Sequence, residues 1–311
     1  MKYKHNRHVN RRNVVTLVFV VLAFCIVLPR LSSFRDSINT LRDGDFVFVG
    51  LSILAWLSTF FAAALVYTFI SLRPLPYART LLVQLASGFT NRLAPLGAGI
   101  VTLNMGYLVK RGHTTVQAGA VVALNNFLGF VGMAILLLGT VVVSPSSLKN
   151  SLQVHLSSAW VAVVATGIFI GLCLLVVFGL KLLRKIERAF RLIMKNTLDK
   201  PMRVVMALLS SMTITAGYTT ALYTIGLAFN VHLSIPQALF VLTLGVAAGS
   251  VSPTPGGIGG AEIGLVAALI SVGITPHQAL TTALMYRFLT YWLPIVPGFI
   301  CLQIALRKRY I

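Results

Sequence analysis

Apolar residues run along this chain in long unbroken stretches, not in the short alternating or amphipathic patterns of a soluble domain. Residues 14–28, 46–72, 115–143, 157–180, 204–229 and 277–305 carry almost no charge. At about 1.5 Å per helical residue, most of these runs can cross a hydrocarbon core of about 30 Å. The first is short and borrows from its flanks. Two further stretches, 80–109 and 235–272, are as apolar but interrupted. The breaks read Asn91-Arg92-Leu93-Ala94-Pro95-Leu96-Gly97-Ala98-Gly99 and Ser252-Pro253-Thr254-Pro255-Gly256-Gly257-Ile258-Gly259-Gly260. Each arm beside a break holds roughly 11 to 16 residues, about 17 to 24 Å as helix, which is too short to cross. The pattern predicts an all-α polytopic membrane protein. It has six full transmembrane helices plus two re-entrant helical hairpins whose tips lie inside the membrane, all in a single domain over 1–311.

The two interrupted stretches resemble each other. At an offset of 161 residues Gly88 meets Gly249, Gly99 meets Gly260 and Gly112 meets Gly273, and Gly112-x-Thr114-x-x-Gln117-Ala118 meets Gly273-x-Thr275-x-x-Gln278-Ala279. Inverted repeats over approximately 46–143 and 204–305 follow if the hairpins insert from opposite sides. That design places a substrate site near the midplane, where broken helices meet.

Charge tests this arrangement. The chain has 26 Lys plus Arg against 6 Asp plus Glu, a net of +20, with 57% hydrophobic and only 10% charged residues. A soluble domain carries about 25% charged residues, so a soluble enzyme and a nucleic-acid-binding module are excluded. With the N-terminus inside, most positives fall on cytoplasmic segments: the N-terminal tail, Arg73 and Arg79, Lys110 and Arg111, residues 181–203, and Arg307 to Arg309. Making either hairpin a full crossing would move the downstream basic segments outside, against the positive-inside bias. Both termini are therefore expected in the cytoplasm. Residues 181–200 space apolar positions helically among Lys and Arg, as in a basic amphipathic helix lying on an anionic inner leaflet. A solvated loop is the plainer alternative.

The basic start and run 14–28 lack a small-residue cleavage site, so a retained first span is expected. Cys25, Cys173 and Cys301 lie singly in apolar runs, which gives no disulfide framework and no metal site. No cofactor motif is present. The second glycine cluster is neither a Walker loop nor a dinucleotide fingerprint, since Glu262 occupies the last glycine position.

Three ionisable side chains remain within the membrane: Arg92, Glu262 and Arg287. Each costs about 2.5–3.5 kcal/mol at the bilayer centre on insertion scales, so each needs an interior partner. Glu262 begins a half-helix, where an acid is favoured by free N–H groups, and Arg287 lies near the depth it can reach. An ion pair is expected, either stapling the hairpin to the last span or taking part in substrate or proton handling. Arg92 has no acidic partner. It either binds an anion, for which a phosphate suits a guanidinium, or bonds carbonyls freed by the broken helix. Pro255, Gly256, Gly257, Gly259 and Gly260, with Thr254, supply a tip whose N–H groups suit an anion; tight helix packing is the alternative. Asn91, Pro95, Gly97 and Gly99 form the other tip. Asn125 and Asn126 stand opposite Tyr286 and Arg287 in the repeat, as pathway lining or interhelical hydrogen-bonding glue. Arg287, Tyr291 and Pro294 share a helix face.

The segment from Pro253 through Glu262, the pattern Tyr286-Arg287-x-x-x-Tyr291-x-x-Pro294-x-x-x-Gly298 and the tip Asn91-Arg92-Leu93-x-Pro95-x-Gly97-x-Gly99 together resemble the lysylphosphatidylglycerol synthase/flippase transmembrane domain family. The resemblance extends over nearly the whole chain. It implies lipid translocation: in the best-known members this domain flips aminoacylated phosphatidylglycerol, and other members are proposed to handle isoprenoid or glycolipid carriers. Members that make lysyl-phosphatidylglycerol add a large soluble transferase domain. This sequence stops at Ile311 without one, so the expectation is a flippase and not an enzyme. The expected cargo is an anionic phospholipid or phosphate-linked lipid of the cytoplasmic membrane. Rival expectations are a secondary transporter of a small soluble anion and a non-transporting partner of a lipid-modifying or glycosyl-transfer complex. A homo-oligomer and a lipid-modifying enzyme encoded nearby are compatible partners; nucleic acid is not.

Overall fold

The computed structural model describes residues 44–94, 97–143, 200–252 and 254–311, and among them every regular element is helical. The predicted spans over 14–28 and 157–180, the amphipathic helix over 181–200, and Pro95 lie outside the described residues.

In chain order the helices are α1 (Phe46–Ile70), α2 (Tyr77–Leu93), α3 (Ala98–Lys110), α4 (Thr115–Val143), α5 (Pro201–Ala228), α6 (Ile235–Val251), α7 (Gly260–Ser271), α8 (Pro276–Arg287) and α9 (Ile295–Arg307). A 3₁₀ turn, Pro255–Gly257, precedes α7, and a π-helical turn, Phe288–Trp292, joins α8 to α9. Among the described residues, four helical stretches are long and apolar enough to cross a membrane: Phe46–Ile70, Thr115–Thr140, Pro201–Ala228 and Pro276–Arg307. They coincide with four of the six predicted spans. The helices start on recognisable signals. Asp45 Oδ1 accepts from Val47 N at 2.8 Å to cap α1, Ser234 and Gln237 form a capping box for α6, and α5 and α8 begin at Pro201 and Pro276. A proline is tolerated there because a first-turn N–H has no helical acceptor.

Between these long helices lie two antiparallel helix pairs. α2 and α3 have 17 and 13 residues, and α6 and α7 have 17 and 12. Even a 17-residue helix is only about 25 Å long, short of the hydrocarbon thickness. The first pair is joined by polar side chains: Thr80 Oγ1 and Tyr107 Oη are 3.0 Å apart, and Gln84 Nε2 donates to Asn104 Oδ1 at 2.8 Å. The second pair uses small residues instead. A Cβ on Gly245 would lie 2.5 Å from Leu265, one on Gly264 2.5 Å from Ala248, and one on Gly249 3.0 Å from Ala261.

Some helix ends fall at the offset noted in the sequence: α3 ends at Lys110 and α7 at Ser271, and α4 begins at Thr115 and α8 at Pro276. Gly112 (φ 85°) follows α3 and Gly273 (φ 92°) follows α7. Each precedes an N–H that bonds back into the helix: His113 N to Leu108 O and Ile274 N to Leu269 O, both at 3.1 Å. Glycine is required because the left-handed conformation penalises a Cβ. Among the described helices, α1 and α5 make the most extensive contact. There Ser52 Oγ donates to Ala221 O at 2.7 Å, and a Cβ on Gly217 would lie 2.7 Å from Thr59.

Polarity is arranged for a lipid surround. Ser52, Thr59, Thr80, Gln84, Asn104 and Thr282 are buried, whereas Leu54, Val251 and Ile263 are 64%, 79% and 71% exposed. The chain is a multi-pass membrane protein.

Candidate functional site

Three helix breaks converge: the end of α2, the tip between α6 and α7, and the π turn between α8 and α9. Each exposes backbone groups that a continuous helix would satisfy, and side chains from the neighbouring breaks take up several of them.

The last helix is broken around Pro294. Leu293 N bonds to Phe288 O five residues back at 3.0 Å, the π pattern. Proline has no N–H, so the Thr290 carbonyl loses its i+4 donor. Arg92, at the end of α2, supplies the replacement. Its Nη2 donates to Thr290 O, its Nε donates to Tyr291 O at 2.6 Å, and its Nη1 turns back to Gly88 O. In return Tyr291 Oη donates to Arg92 O at 3.3 Å. Arg92 is buried, and this bonding is the carbonyl-satisfying alternative raised from the sequence.

Arg287 and Glu262 form the expected ion pair. Arg287 Nε donates to Glu262 Oε1 at 2.8 Å, and the two side chains retain 14% and 23% exposure. Glu262 Oε2 accepts from Gly259 N at 2.7 Å, so the carboxylate also caps α7. Arg287 Nη2 donates to Gly256 O at 3.2 Å, and Nη1 makes no hydrogen bond among the described residues. The first-turn N–H groups of Gly260 and Ala261 have no acceptor within α7.

Tyr291 lies between the two cations. The guanidinium carbons of Arg287 and Arg92 sit 4.7 and 5.6 Å from its ring centroid, and the ring is buried. Cation–π attraction offsets part of the cost of holding two like charges near each other. The glycine tip rests against the same residues. Gly256 has φ 62°, and a Cβ there would lie 2.5 Å from the Tyr291 ring and 3.3 Å from Arg92 Cα. Gly257, at φ 67°, leaves equally little room: its Cβ would fall 2.6 Å from Gly249 O. Thr254 Oγ1 donates to Ile258 O at 2.6 Å and holds the turn. On the other tip Gly97 takes φ 74°, and a Cβ on Gly99 would overlap the Thr90 carbonyl. Pro255 opens the 3₁₀ turn and Gly260 begins α7, packed on Ser252 and the Ala248 carbonyl.

The sequence model described as "Lysylphosphatidylglycerol synthase TM region" matches residues 13–298. The chain belongs to that family. It is also similar to proteins named phosphatidylglycerol lysyltransferase from two strains of Staphylococcus epidermidis, at 30% identity over 77 residues. That stretch is 25% of this chain and 9% of each lysyltransferase. The shared family is thus described by its membrane region, and the lysyltransferases extend far beyond the part that matches.

Within this family member, the structure brings together Arg92, Gly256, Glu262, Arg287 and Tyr291. Tyr286 is buried on α8 beside them. Asn91 flanks the site with a buried Oδ1 that has no hydrogen-bond partner among the described residues. Asn125 and Asn126 are not drawn in: Asn126 is exposed, and its Oδ1 accepts from Asn125 Nδ2 at 3.5 Å. Two participants were missed from sequence. Tyr218 of α5 lies close enough to interact electrostatically with Arg92 and Tyr286, and nothing in its apolar run marked it. The Thr290 carbonyl was legible in principle, because Pro294 stands four residues after it.

Proposed function

We propose that the chain translocates an anionic phospholipid or phosphate-linked lipid across the cytoplasmic membrane, with the lipid phosphate received at Arg287 and the glycine tip. The observation that carries this reading is the unspent donor set on one side of the site. Arg287 Nη1 meets no acceptor among the described residues, and the first-turn N–H groups of α7 adjoin it through Glu262 and Gly259. A phosphate accepts several hydrogen bonds and is matched by a guanidinium fork plus a helix N-terminus. Arg92 serves this site by holding the tips and the π turn together.

The proposed topology has α2–α3 as a hairpin re-entering from the cytoplasm and α6–α7 as one entering from outside, related as inverted repeats, with both termini cytoplasmic. Support comes from the equivalent helix ends at Gly112 and Gly273, from arms too short to cross, and from the basic residues on the segments assigned inside. A lipid cargo is favoured over a soluble anion by the apolar surface flanking the tip, where Val251 and Ile263 are largely exposed. Acyl chains can remain in the bilayer beside it. On this reading the chain is a transporter and performs no aminoacyl transfer, and the basic segment 181–200 lies on the anionic inner leaflet.

The test is leaflet-resolved transport in proteoliposomes, with wild type, Arg287→Ala and Glu262→Gln compared for labelled anionic phospholipids. At least a tenfold loss in Arg287→Ala is expected. Equal rates in all three proteins overturn the site. Movement of a soluble anion but of no lipid favours the secondary transporter, and no movement of either overturns the class.

A further inference from the structure

We propose, building on the reading that Arg287 receives a lipid phosphate, that each anionic headgroup crosses together with one proton carried on Glu262, so that carboxylate and phosphate alternate as the partner of Arg287 and transport is electroneutral.

The geometry makes the two anions competitors. Glu262 occupies Arg287 Nε through one oxygen, at 2.8 Å, and the α7 amino end through the other, at 2.7 Å from Gly259 N. Both donors adjoin the open Arg287 Nη1 and the first-turn N–H groups of α7, so a phosphate seated there lies directly against the carboxylate. The carboxylate is also the only acidic side chain on the described helices that line the site. α6 and the glycine turn bring no ionisable group to it. α8 brings Arg287 and Tyr286, the π turn Tyr291, α2 Arg92, and α5 Tyr218. Of the two cations, Arg92 is committed to the carbonyls of Gly88, Thr290 and Tyr291. Arg287 is the one with donors to exchange.

A phosphodiester carries one negative charge. Beside ionised Glu262 it would place two anions against one exchangeable guanidinium at a largely covered pair, 14% and 23% exposed, and a mostly buried charge without a partner is disfavoured. Protonating the carboxylate removes the conflict. One proton passes from water on the loading side to a Glu262 oxygen. The Arg287 N–H bonds then transfer from that carboxylate to the phosphate. On the far side the phosphate leaves for the headgroup layer, the Glu262 O–H returns its proton to water, and the ion pair re-forms. The loaded site holds one added anion and one added proton, so no net charge crosses with the lipid.

The experiment uses full-length protein in phosphatidylcholine vesicles containing labelled phosphatidylglycerol, with the membrane potential and the pH gradient set independently. Acidifying the loading side by one unit is expected to raise the initial rate, by up to about tenfold for a one-proton step. Changing the potential at fixed pH is expected to change nothing. A trapped pH dye should report one proton per lipid moved. Glu262→Gln should lose the response to the gradient. Transport driven by potential and indifferent to the gradient, or a gradient response retained in Glu262→Gln, overturns the proposal. Should wild type move no lipid, short-chain phosphatidylglycerol is titrated into detergent-solubilised protein. Uptake near one proton per bound lipid supports the exchange, and binding without uptake overturns it while leaving the phosphate site standing. Absence of binding removes the site and the exchange together.

Discussion

Arg92 stands in for the backbone donor that Pro294 lacks: its guanidinium donates to the carbonyl of Thr290, four residues before that proline. One side chain thereby fastens the end of α2 to the break in the last helix. The prediction is a loss of stability on Arg92→Ala, since each buried acceptor left unmade costs about 1–3 kcal/mol. Arg92→Lys should recover little, because an ammonium has no planar fork. Pro294→Ala restores an N–H for Thr290 and should soften the Arg92→Ala loss. Thermal unfolding in detergent of wild type, the three single variants and the Arg92→Ala, Pro294→Ala double variant checks this; additive losses in the double variant would refute the substitution of one donor for the other.

Gly256→Ala should be far more damaging than Gly259→Ala. Both residues have positive φ, where an alanine costs about 1–2 kcal/mol. Gly256 alone would also drive a Cβ into the Tyr291 ring, whereas Gly259 has open space around it. Transport and melting temperature measured together should separate them, with transport abolished only in Gly256→Ala.

Gly217→Val should destabilise without touching the site. A Cβ at Gly217 already lies 2.7 Å from Thr59 and 2.9 Å from the Ala55 carbonyl, and overpacking typically costs about 1–3 kcal/mol. Its melting temperature should fall while the transport rate per folded molecule stays near wild type.

His113 gives a pH dependence of stability. It is buried at the turn after α3, with Nδ1 donating to Leu108 O at 3.0 Å and Nε2 accepting from Ser71 Oγ at 3.1 Å. Burial lowers its pKa, the Leu108 carbonyl partly offsets this, and the Arg73 charge lowers it further. As pH falls below about 6.5, the unfolded chain takes up a proton that the folded state resists, so stability is lost. The melting temperature should drop across that range, and His113→Gln should flatten the drop.

Inverted topology predicts opposite labelling of equivalent residues. Thr114 and Thr275 are both exposed at helix starts. In a background without the three native cysteines, Thr275→Cys should react with an impermeant thiol reagent applied outside intact cells. Thr114→Cys should react only after permeabilisation. Labelling of both from one side would refute the inversion.

Much of this molecule is legible along the chain. Transmembrane runs follow from the cost of placing polar backbone and charge in hydrocarbon, so hydropathy alone locates the four long spans described. Proline and glycine locate the breaks at Ala94–Gly97 and Ser252–Gly259 because their backbone limits are local. The Glu262–Arg287 pair was legible for a similar reason: an acid and a base with few other partners available must find each other. For Arg92 the sequence left two fates open, a phosphate or freed carbonyls, and could not name the carbonyls: they are Gly88 on its own helix and Thr290 and Tyr291 at the break in the last helix. Which free donor meets which orphan acceptor depends on how the breaks stack, and sequence spacing carries no record of that. Asn125 and Asn126 make the same point in reverse: alignment with Tyr286 and Arg287 in the sequence does not by itself bring residues onto one surface, and here Asn126 is exposed and bonds its neighbour. The sequence determined the spans, the breaks and the residues needing partners, through local backbone chemistry and the hydrocarbon solvent. The tertiary structure decided the partnerships, because only close packing brought Tyr291 between the two arginines and left Arg287 as the cation with donors to exchange.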